Sequence, residues 1–118
     1  ESEIWIAGVD NEIGSGFSRE NINRLVNHPG TVLISHEPTV FDAIDDNCSV
    51  LVLAGDTHGG QLPLPEWLWK RLGYKQYKYM RGWFQQGKKK MYVTTGIGTS
   101  TLPIRLLRPP EIVVLHFL

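Results

Sequence analysis

Two uninterrupted apolar runs, TVLISH (residues 31–36) and SVLVLAG (residues 49–55), constrain the fold of this chain more than any other feature. Both are short and rich in β-branched residues, which is typical of strands buried on both faces of a parallel sheet. An earlier run, EIWIAGVD (residues 3–10), alternates and then becomes apolar, so it predicts a first strand that ends at Gly8 or Val9. We therefore predict three strands in the first half of the chain.

The segments between these runs have helical character. Residues 17–28 place four apolar side chains on one helical face, namely Phe17, Ile22, Leu25 and Val26. Ser18 and Asn21 are start signals, and Pro29 predicts the end of the helix. PTVFDAIDD (residues 38–46) predicts a second, short helix with Pro38 near its first turn. Alternating strands and helices indicate an α/β (α+β) fold, which we assign to a single domain spanning 1–118.

After residue 61 the pattern changes. LPEWLWKRLGY (residues 64–74) predicts a short amphipathic helix that opens at Pro65. YKYMRGWFQQGKKKMYVTTG (residues 77–96) predicts a β-hairpin around Gln86-Gly87. PIRLL and EIVVLHFL predict two closing strands, separated by Pro109-Pro110.

Charge is distributed unevenly along the chain, although its net charge is zero. Residues 1–66 contain eleven acids and two basic residues, whereas residues 67–118 contain ten Lys or Arg and one acid, Glu111. Either the two halves attract each other within one fold, or residues 67–90, where seven aromatic side chains lie among eight cations, form a basic surface for phosphates or anionic lipid. We find no specific nucleic-acid-binding motif.

The cysteine content and the length of the apolar runs limit the possible disulfides and membrane spans. The single Cys48 excludes an internal disulfide, and we expect no nucleophilic role for it. The apolar runs are too short to span a bilayer, and no signal peptide is visible. We expect a soluble domain, either cytoplasmic or attached to a membrane by a segment upstream of Glu1.

Three polar residues follow the predicted buried strands, where α/β sheets bind their ligands. His36 follows the first run, and Asp56 and His58 follow the second. In extended backbone, residues two apart point to the same side, so Asp56 and His58 can reach one metal cluster. Gly59 and Gly60 allow a sharp turn or the close approach of a ligand. Residue types alone also fit an Asx turn with a surface histidine, and this alternative stays open.

Three segments together resemble the C-terminal half of calcineurin-like metallophosphoesterases: LISHEP, LVLAGDTHGGQ and YVTTGIGTSTLPIRLLRPPEIVVL. The most similar branch contains predicted phosphohydrolases with a Gly-His-Thr-His-Gly-Gly-Gln motif. The resemblance implies a two-sheet β-sandwich flanked by helices, with two divalent metal ions (Mn, Fe or Zn). It also implies hydrolysis of phosphomonoesters or phosphodiesters by a metal-bound hydroxide. His36 would be a ligand of the second metal and His58 a ligand of the first.

Two departures from the family pattern weaken the implied site. Asp56 replaces the first histidine of the motif, although a carboxylate can still bind manganese or iron. The upstream Asp-x-His, Gly-Asp-x-x-Asp and Gly-Asn-His motifs have no match, so at most three ligands remain and we assign no catalytic residue. Arg105 either holds phosphate or forms a salt bridge to Glu111 or to an acid in the first half.

These departures leave two hypotheses for function. In the first, the chain is part of a phosphoesterase and needs a missing N-terminal half, or a homodimer that covers the uncovered sheet surface. In the alternative, it is a non-catalytic fragment or pseudoenzyme domain that binds a partner or an anionic surface. The sequence identifies neither the substrate nor the metal.

Overall fold

A computed structural model describes residues 3–10 and 18–118 and contains most of the predicted elements in the predicted order. The predicted turn at residues 11–16 and the predicted helical position Phe17 lie outside the described residues. The strands and α-helices are β1 (Trp5–Val9), α1 (Arg19–Leu25), β2 (Thr31–Ser35), β3 (Val50–Ala54), α2 (Glu66–Arg71), β4 (Gly82–Gln86) and β5 (Lys89–Val93). Short 3-10 segments lie at Pro38–Ala43, His58–Gly60 and Lys75–Lys78.

The five strands form one mixed sheet in the order β1-β2-β3-β5-β4. The first four in this order run parallel, and β4 pairs antiparallel with β5 through the predicted hairpin. This arrangement confirms the α/β class. The described residues contain one sheet, so the predicted second sheet is not part of the observed fold.

The hydrophobic core covers one face of the sheet. Ser18 caps α1 by accepting a hydrogen bond from the Asn21 N–H (3.2 Å), as predicted from its position before the apolar pattern. The segment Pro38–Ala43 is a 3-10 helix with the proline in its first turn. These two segments cover the sheet, and buried side chains from both layers form the core: Ile22, Val26, Val40 and Phe41 from the covering layer, and Leu33 and Val52 from the strands.

The opposite face of the sheet retains exposed apolar side chains. Ile6, Ile34 and Trp83 are 72%, 51% and 60% exposed, and Leu53 between them is half-buried. The prediction that the strands of residues 31–36 and 49–55 are buried on both faces was therefore wrong. A continuous apolar run shows that both faces are apolar, but burial requires a covering layer, and on the second face the described residues bury Val32 (6% exposed) and leave Ile34 exposed.

Lys89, in strand β5 of the hairpin, binds the segment around Pro38–Ala43. Its side chain is 2% exposed, and Nζ donates to the carbonyls of Phe41 (2.8 Å) and Ile44 (2.6 Å). It also lies 3.0 Å from an Asp46 carboxylate oxygen. These partners satisfy a buried charge and fix β5 against the 3-10 segment.

The two predicted closing strands are absent, since the described residues 94–118 contain no strand. PIRLL (residues 103–107) lies two positions after a residue with left-handed backbone, Thr101 (φ 57°), and its last residue, Leu107 (φ 53°), is also left-handed. Left-handed backbone interrupts the extended conformation of a strand. EIVVLHFL is rich in β-branched residues, but it pairs with neither sheet edge. High β-propensity alone does not form a strand without a hydrogen-bonding neighbour.

The predicted helix after Pro65 is present as α2, with Pro65 at its N-cap. None of its side chains is fully buried, although Leu68 and Trp69 are half-buried. No helix among the described residues has the length and apolarity needed to cross a bilayer.

Candidate functional site

The carboxyl ends of β2 and β3 bring His36 and Asp56 together. Ser35 pairs with Ala54 in the parallel ladder, so the residues that follow emerge at the same edge of the sheet. His36 Nε2 lies 2.8 Å from Asp56 Oδ1, and the two side chains are 52% and 28% exposed. An imidazole nitrogen and a carboxylate oxygen thus meet at the edge where α/β proteins bind ligands.

The backbone after β3 turns sharply instead of remaining extended. Asp56 and His58 have φ angles of 66° and 49°, and Thr57 between them is helical. The argument that Asp56 and His58 share one side of an extended segment was therefore wrong. Left-handed backbone at residues other than glycine is strained, and such strain is concentrated at functional sites.

Thr57 and Gly59 explain how the turn is held. Thr57 is 3% exposed, and its hydroxyl donates to the Met80 carbonyl (2.6 Å) and accepts from the Gly59 N–H (3.3 Å). Gly59 has a φ of 66°, and a Cβ there would lie 2.7 Å from the Thr95 side chain. A Cβ on Gly60 (φ 77°) would lie 3.3 Å from the Met80 sulfur. Gly59 is therefore required by close packing as well as by φ, whereas Gly60 is favoured mainly by its φ.

His58 is oriented by a main-chain carbonyl. Its Nδ1 lies 3.0 Å from the Gly98 oxygen. A carbonyl only accepts hydrogen bonds, so this contact favours the tautomer in which Nδ1 carries the proton and Nε2 carries the lone pair. Carbonyl contacts of this kind orient histidines that bind metals through the other nitrogen.

Arg105 binds main-chain carbonyls rather than an acid. Its guanidinium donates to Thr95 (2.7 Å), Gly96 (3.2 Å) and Gly98, and more weakly to His58 (3.4 Å) and Arg108 (3.3 Å). Its Nε is buried and has no hydrogen-bond partner among the described residues. Glu111, the salt-bridge partner that we considered, instead accepts from the Tyr92 hydroxyl and the Thr95 N–H, both at 3.0 Å. Arg105 therefore ties the turn at His58 to the segment after β5.

Two further residues make the same connection, and sequence reasoning gave them no role. Gln61 donates to the Ser100 (3.1 Å) and Leu102 (2.6 Å) carbonyls and accepts from the Ser100 N–H (2.8 Å). Arg108 Nε donates to the Gly59 carbonyl (2.7 Å). The only sequence signal for Gln61 is its position at the end of the quoted motif, since long-range contacts with loops have no periodicity.

A cavity of about 330 Å³ opens beside Asp56 and His58. Its wall includes Leu62, Trp69, Tyr74, Ser100 and Leu102, so polar groups occupy one part and apolar side chains another. Burial raises the pKa of the Tyr74 hydroxyl, and the negative charge of Asp56 raises it further. Both effects favour the protonated form of Tyr74, which is able to donate a hydrogen bond.

The donor set is incomplete for a closed metal site. Among residues 3–10 and 18–118, no group of three or more His, Cys, Asp or Glu side chains is arranged to hold a metal ion. The structure pairs His36 with Asp56 and places His58 separately on the turn. One nitrogen and one oxygen donor together suit manganese, iron or zinc, but further ligands are required.

Several relatives align with most of the chain. The uncharacterized metallophosphoesterase YkuE of Bacillus subtilis is 34% identical over 116 residues, which cover 96% of this chain and 40% of YkuE. Phosphodiesterase YaeI of Escherichia coli is 31% identical over 84% of this chain and 34% of its own length. UDP-2,3-diacylglucosamine pyrophosphatase LpxG of Chlamydia muridarum is 31% identical over 76% of this chain and 29% of its own length. The chain thus spans less than half the length of each of these relatives.

No protein-family model matches the chain, and no solved structure matches it.

Proposed function

The chain is homologous to metallophosphoesterases over most of its length, and we propose that it contributes part of a metal-dependent site for hydrolysis of phosphoesters. The observation that supports this most strongly is the meeting of His36 and Asp56, 2.8 Å apart, at the carboxyl ends of two parallel strands. His58 follows on the same turn, with one ring nitrogen already bound by a carbonyl.

His36, Asp56 and His58 are the residues of this chain that would hold metal. Two divalent ions, with manganese as our first choice and iron or zinc as alternatives, fit a mixed set of nitrogen and oxygen donors. When bound, such ions activate water and stabilise charge on the oxygens of the phosphoryl group. Asp56 adds a negative charge where the family motif has a neutral histidine, so we expect tighter selection for hard cations.

The remaining site residues position these donors. Gly59 and Gly60 let the turn pack against Thr95 and Met80, and Arg105 fixes the turn through its carbonyl contacts. We propose for Arg105 a positioning role rather than direct binding of phosphate, because both of its terminal guanidinium nitrogens already donate to main-chain oxygens. The substrate would be a phosphomonoester or phosphodiester, and the names of YaeI and LpxG support the phosphodiester and pyrophosphate classes.

The missing ligands would come from outside the described sheet. The apolar face that includes Ile6, Ile34 and Trp83 supports a second sheet packed over it, as in the two-sheet sandwich that the family resemblance implies. Either an N-terminal half of the same protein or a second copy of the chain would supply that sheet. Light scattering of this chain alone distinguishes these cases, because only the second predicts a dimer at micromolar concentration.

A non-catalytic role is the second candidate function. The observation in its favour is that the described residues contain no three-donor group, while His36 and Asp56 bind each other. In this case the chain would bind a partner or an anionic surface without hydrolysing a phosphoester. The first candidate function requires a bound metal ion, whereas the second does not.

Manganese binding by this chain, measured as the loss of the free Mn²⁺ signal in electron paramagnetic resonance, tests the proposal directly. We expect weak binding that is reduced at least tenfold by His36→Ala or Asp56→Asn and less strongly by His58→Ala. The exposed His116 provides a matched control, and His116→Ala should bind manganese like the unchanged chain. Equal binding by all variants would contradict the proposed ligands.

Hydrolysis of bis(p-nitrophenyl) phosphate then separates the two candidate functions. We expect no turnover by this chain alone, and manganese-dependent turnover by the protein that includes the missing half. His58→Ala should abolish that turnover, while His116→Ala should not. If the completed protein binds manganese but hydrolyses neither this diester nor p-nitrophenyl phosphate, the non-catalytic role is supported instead.

A further inference from the structure

The cavity beside the turn after β3 is lined both by predicted metal ligands and by apolar side chains. Asp56 and His58 are the two predicted ligands in its wall. Four apolar or aromatic side chains share the wall with them, namely Leu62, Trp69, Tyr74 and Leu102. Its volume of about 330 Å³ is near the lower limit of cavities that hold small organic ligands, roughly 300–1,000 Å³. The cavity is therefore large enough for one compact organic group next to the predicted ligands.

The end of helix α2 fixes two aromatic rings in this wall. Gly73 is left-handed (φ 75°), and its N–H donates to the Lys70 carbonyl (3.1 Å). The Tyr74 N–H donates to the Trp69 carbonyl (3.1 Å). These two bonds form a Schellman motif, which is commonly accompanied by an apolar contact between the residues of the second bond. Here the ring centroids of Trp69 and Tyr74 lie 5.2 Å apart at an interplanar angle of 42°. The chain thus holds both rings, which we call the aromatic wall, without a ligand.

The aromatic wall lies against the turn that carries the predicted ligands. A Cβ on Gly60 would lie 3.7 Å from Trp69 Cζ2, so the indole ring packs on the backbone two residues after His58. Burial and then the negative charge of Asp56 raise the pKa of Tyr74, so the Tyr74 hydroxyl lies within electrostatic reach of Asp56. The two rings and the predicted ligands therefore border the same space.

A leucine of the C-terminal segment extends the apolar lining. The Gln61 side chain holds this segment by donating to the Leu102 carbonyl (2.6 Å). Leu102 is nevertheless 51% exposed, and both rings of the aromatic wall are half-buried. These apolar surfaces still face water, so a ligand that covers them gains free energy from burial.

We propose that the aromatic wall binds an aromatic ring carried by the phosphoester substrate, while its phosphate lies at Asp56 and His58. The substrate class would be phosphoesters in which one ester group contains a compact aryl or heteroaryl ring. Aromatic rings attract one another through offset or edge-to-face contacts, which a saturated chain cannot make. The size of the cavity also favours a ring over a long acyl chain, part of which would remain outside. This assignment of the substrate rests on the proposed function, whereas binding of the ring requires no metal.

Binding of phenol to the metal-free chain tests the aromatic wall. Phenol supplies the ring without a phosphate charge that Asp56 would repel, and cyclohexanol supplies a saturated ring with the same number of carbons. Titrations followed by saturation-transfer difference NMR measure both dissociation constants. We expect weak binding of phenol that is tighter than binding of cyclohexanol. Trp69→Ala should weaken phenol binding about two- to tenfold, and Trp69→Phe should retain most of it because it keeps a ring.

Matched controls lie on the same two segments. Trp67 is 66% exposed and lies two positions from Trp69, about 200° around the helix, so Trp67→Ala should bind phenol like the unchanged chain. Leu102→Ala should weaken binding, whereas Leu106→Ala, at a residue of similar exposure (53%) outside the aromatic wall, should not. Circular dichroism of each variant checks that it is folded.

Inhibition of the protein that includes the missing half tests the link between the ring and the phosphate. Phenyl phosphate and methyl phosphate are compared as competitive inhibitors of the hydrolysis of bis(p-nitrophenyl) phosphate. We expect an inhibition constant at least about fivefold lower for phenyl phosphate, since the aromatic wall binds its ring. Trp69→Ala should reduce this ratio and leave the constant for methyl phosphate unchanged.

Three results would overturn the proposal. The first is the absence of phenol binding that depends on Trp69. The second is equal binding of phenol and cyclohexanol, which would show an apolar surface without preference for aromatic rings. The third is the same inhibition by phenyl phosphate in the unchanged protein and in Trp69→Ala, which would indicate that the missing half fills the cavity. Failure of the proposed function gives a different pattern, in which phenol binds through Trp69 but manganese binding does not respond to His36→Ala.

Discussion

The sheet and the C-terminal segment of residues 94–118 are held by different kinds of interaction. The sheet is stabilised by main-chain pairing and by a core in which Leu33, Phe41 and Val52 are fully buried. The C-terminal segment has exposed apolar side chains and is held by hydrogen bonds from a few polar side chains, chiefly Gln61 and Arg105. We therefore expect the sheet to unfold cooperatively, and the C-terminal segment to open locally without unfolding of the sheet.

The candidate site lies where these two regions meet. His36 and Asp56 are brought together by the sheet, since they follow neighbouring strands. His58 depends on both regions, because its ring nitrogen contacts Gly98 in the C-terminal segment. A change in the C-terminal segment can thus affect one predicted metal ligand and leave the other two in place.

Phe41→Ala should produce the largest effect, through the core. Phe41 is fully buried, and its ring contacts Tyr79 edge-to-face with centroids 5.7 Å apart. We expect a loss of about 3–5 kcal/mol in the free energy of unfolding, because the substitution leaves a large cavity. Urea unfolding followed by circular dichroism measures it.

Phe117→Ala is the matched control in the C-terminal segment. Phe117 is 53% exposed, so its loss should change the free energy of unfolding by no more than about 0.5 kcal/mol. Comparable losses for Phe41→Ala and Phe117→Ala would show that both regions unfold as one unit and would contradict the distinction made above.

Arg105→Met should have a smaller and more local effect. The substitution keeps much of the side-chain volume but removes the donors to the carbonyls of Thr95, Gly96 and Gly98. We expect a local loss of about 1–3 kcal/mol, since the partly buried carbonyls of Thr95 and Gly96 lose a charged donor. Hydrogen exchange should speed up at residues 95–111 while the amides of β2 and β3 keep their protection.

Arg24→Met is the control for removing an arginine in general. Arg24 forms an exposed i,i+4 ion pair with Glu20, which contributes about 0.3–0.5 kcal/mol at most. If Arg105→Met changed protection no more than Arg24→Met does, Arg105 would have no positioning role.

The contrast between the sheet and the C-terminal segment also explains which features could be predicted from the sequence. The first three strands, the cap at Ser18 and the hairpin near Gly87 depend on local patterns, and all were confirmed, as was the family resemblance. The prediction of closing strands was wrong because the β-propensity of residues 111–118 forms a strand only where a neighbouring strand can pair with it. His36 and Asp56 could be predicted to emerge at one edge, since parallel order fixes that edge.

The details of the turn could not be predicted in this way. The contacts of Gln61 with Ser100 and Leu102, and of His58 with Gly98 and Arg105, join residues 39 to 47 positions apart. The left-handed backbone at Asp56 is strained and depends on tertiary packing. The metal roles of His36, Asp56 and His58 stay predictions.

Glu111→Gln tests the smallest contribution, which depends on pH. Burial opposes ionisation of Glu111, but hydrogen bonds from Thr95, Thr94 and Tyr92 outweigh it and hold the pKa below its ordinary value. A lowered pKa in the folded state means that ionised Glu111 stabilises the fold above the unfolded pKa, and that this stabilisation is lost as the pH falls through the folded pKa. Glutamine keeps an acceptor oxygen but does not titrate.

The free energy of unfolding should therefore be higher for the unchanged protein than for Glu111→Gln at neutral pH. We expect a difference of less than about 1 kcal/mol, because Glu111 is partly exposed to solvent. The difference should shrink as the pH falls below about 4.5. Urea unfolding at several pH values measures it, and a difference that is constant with pH would show that the charge of Glu111 does not hold the C-terminal segment to β5.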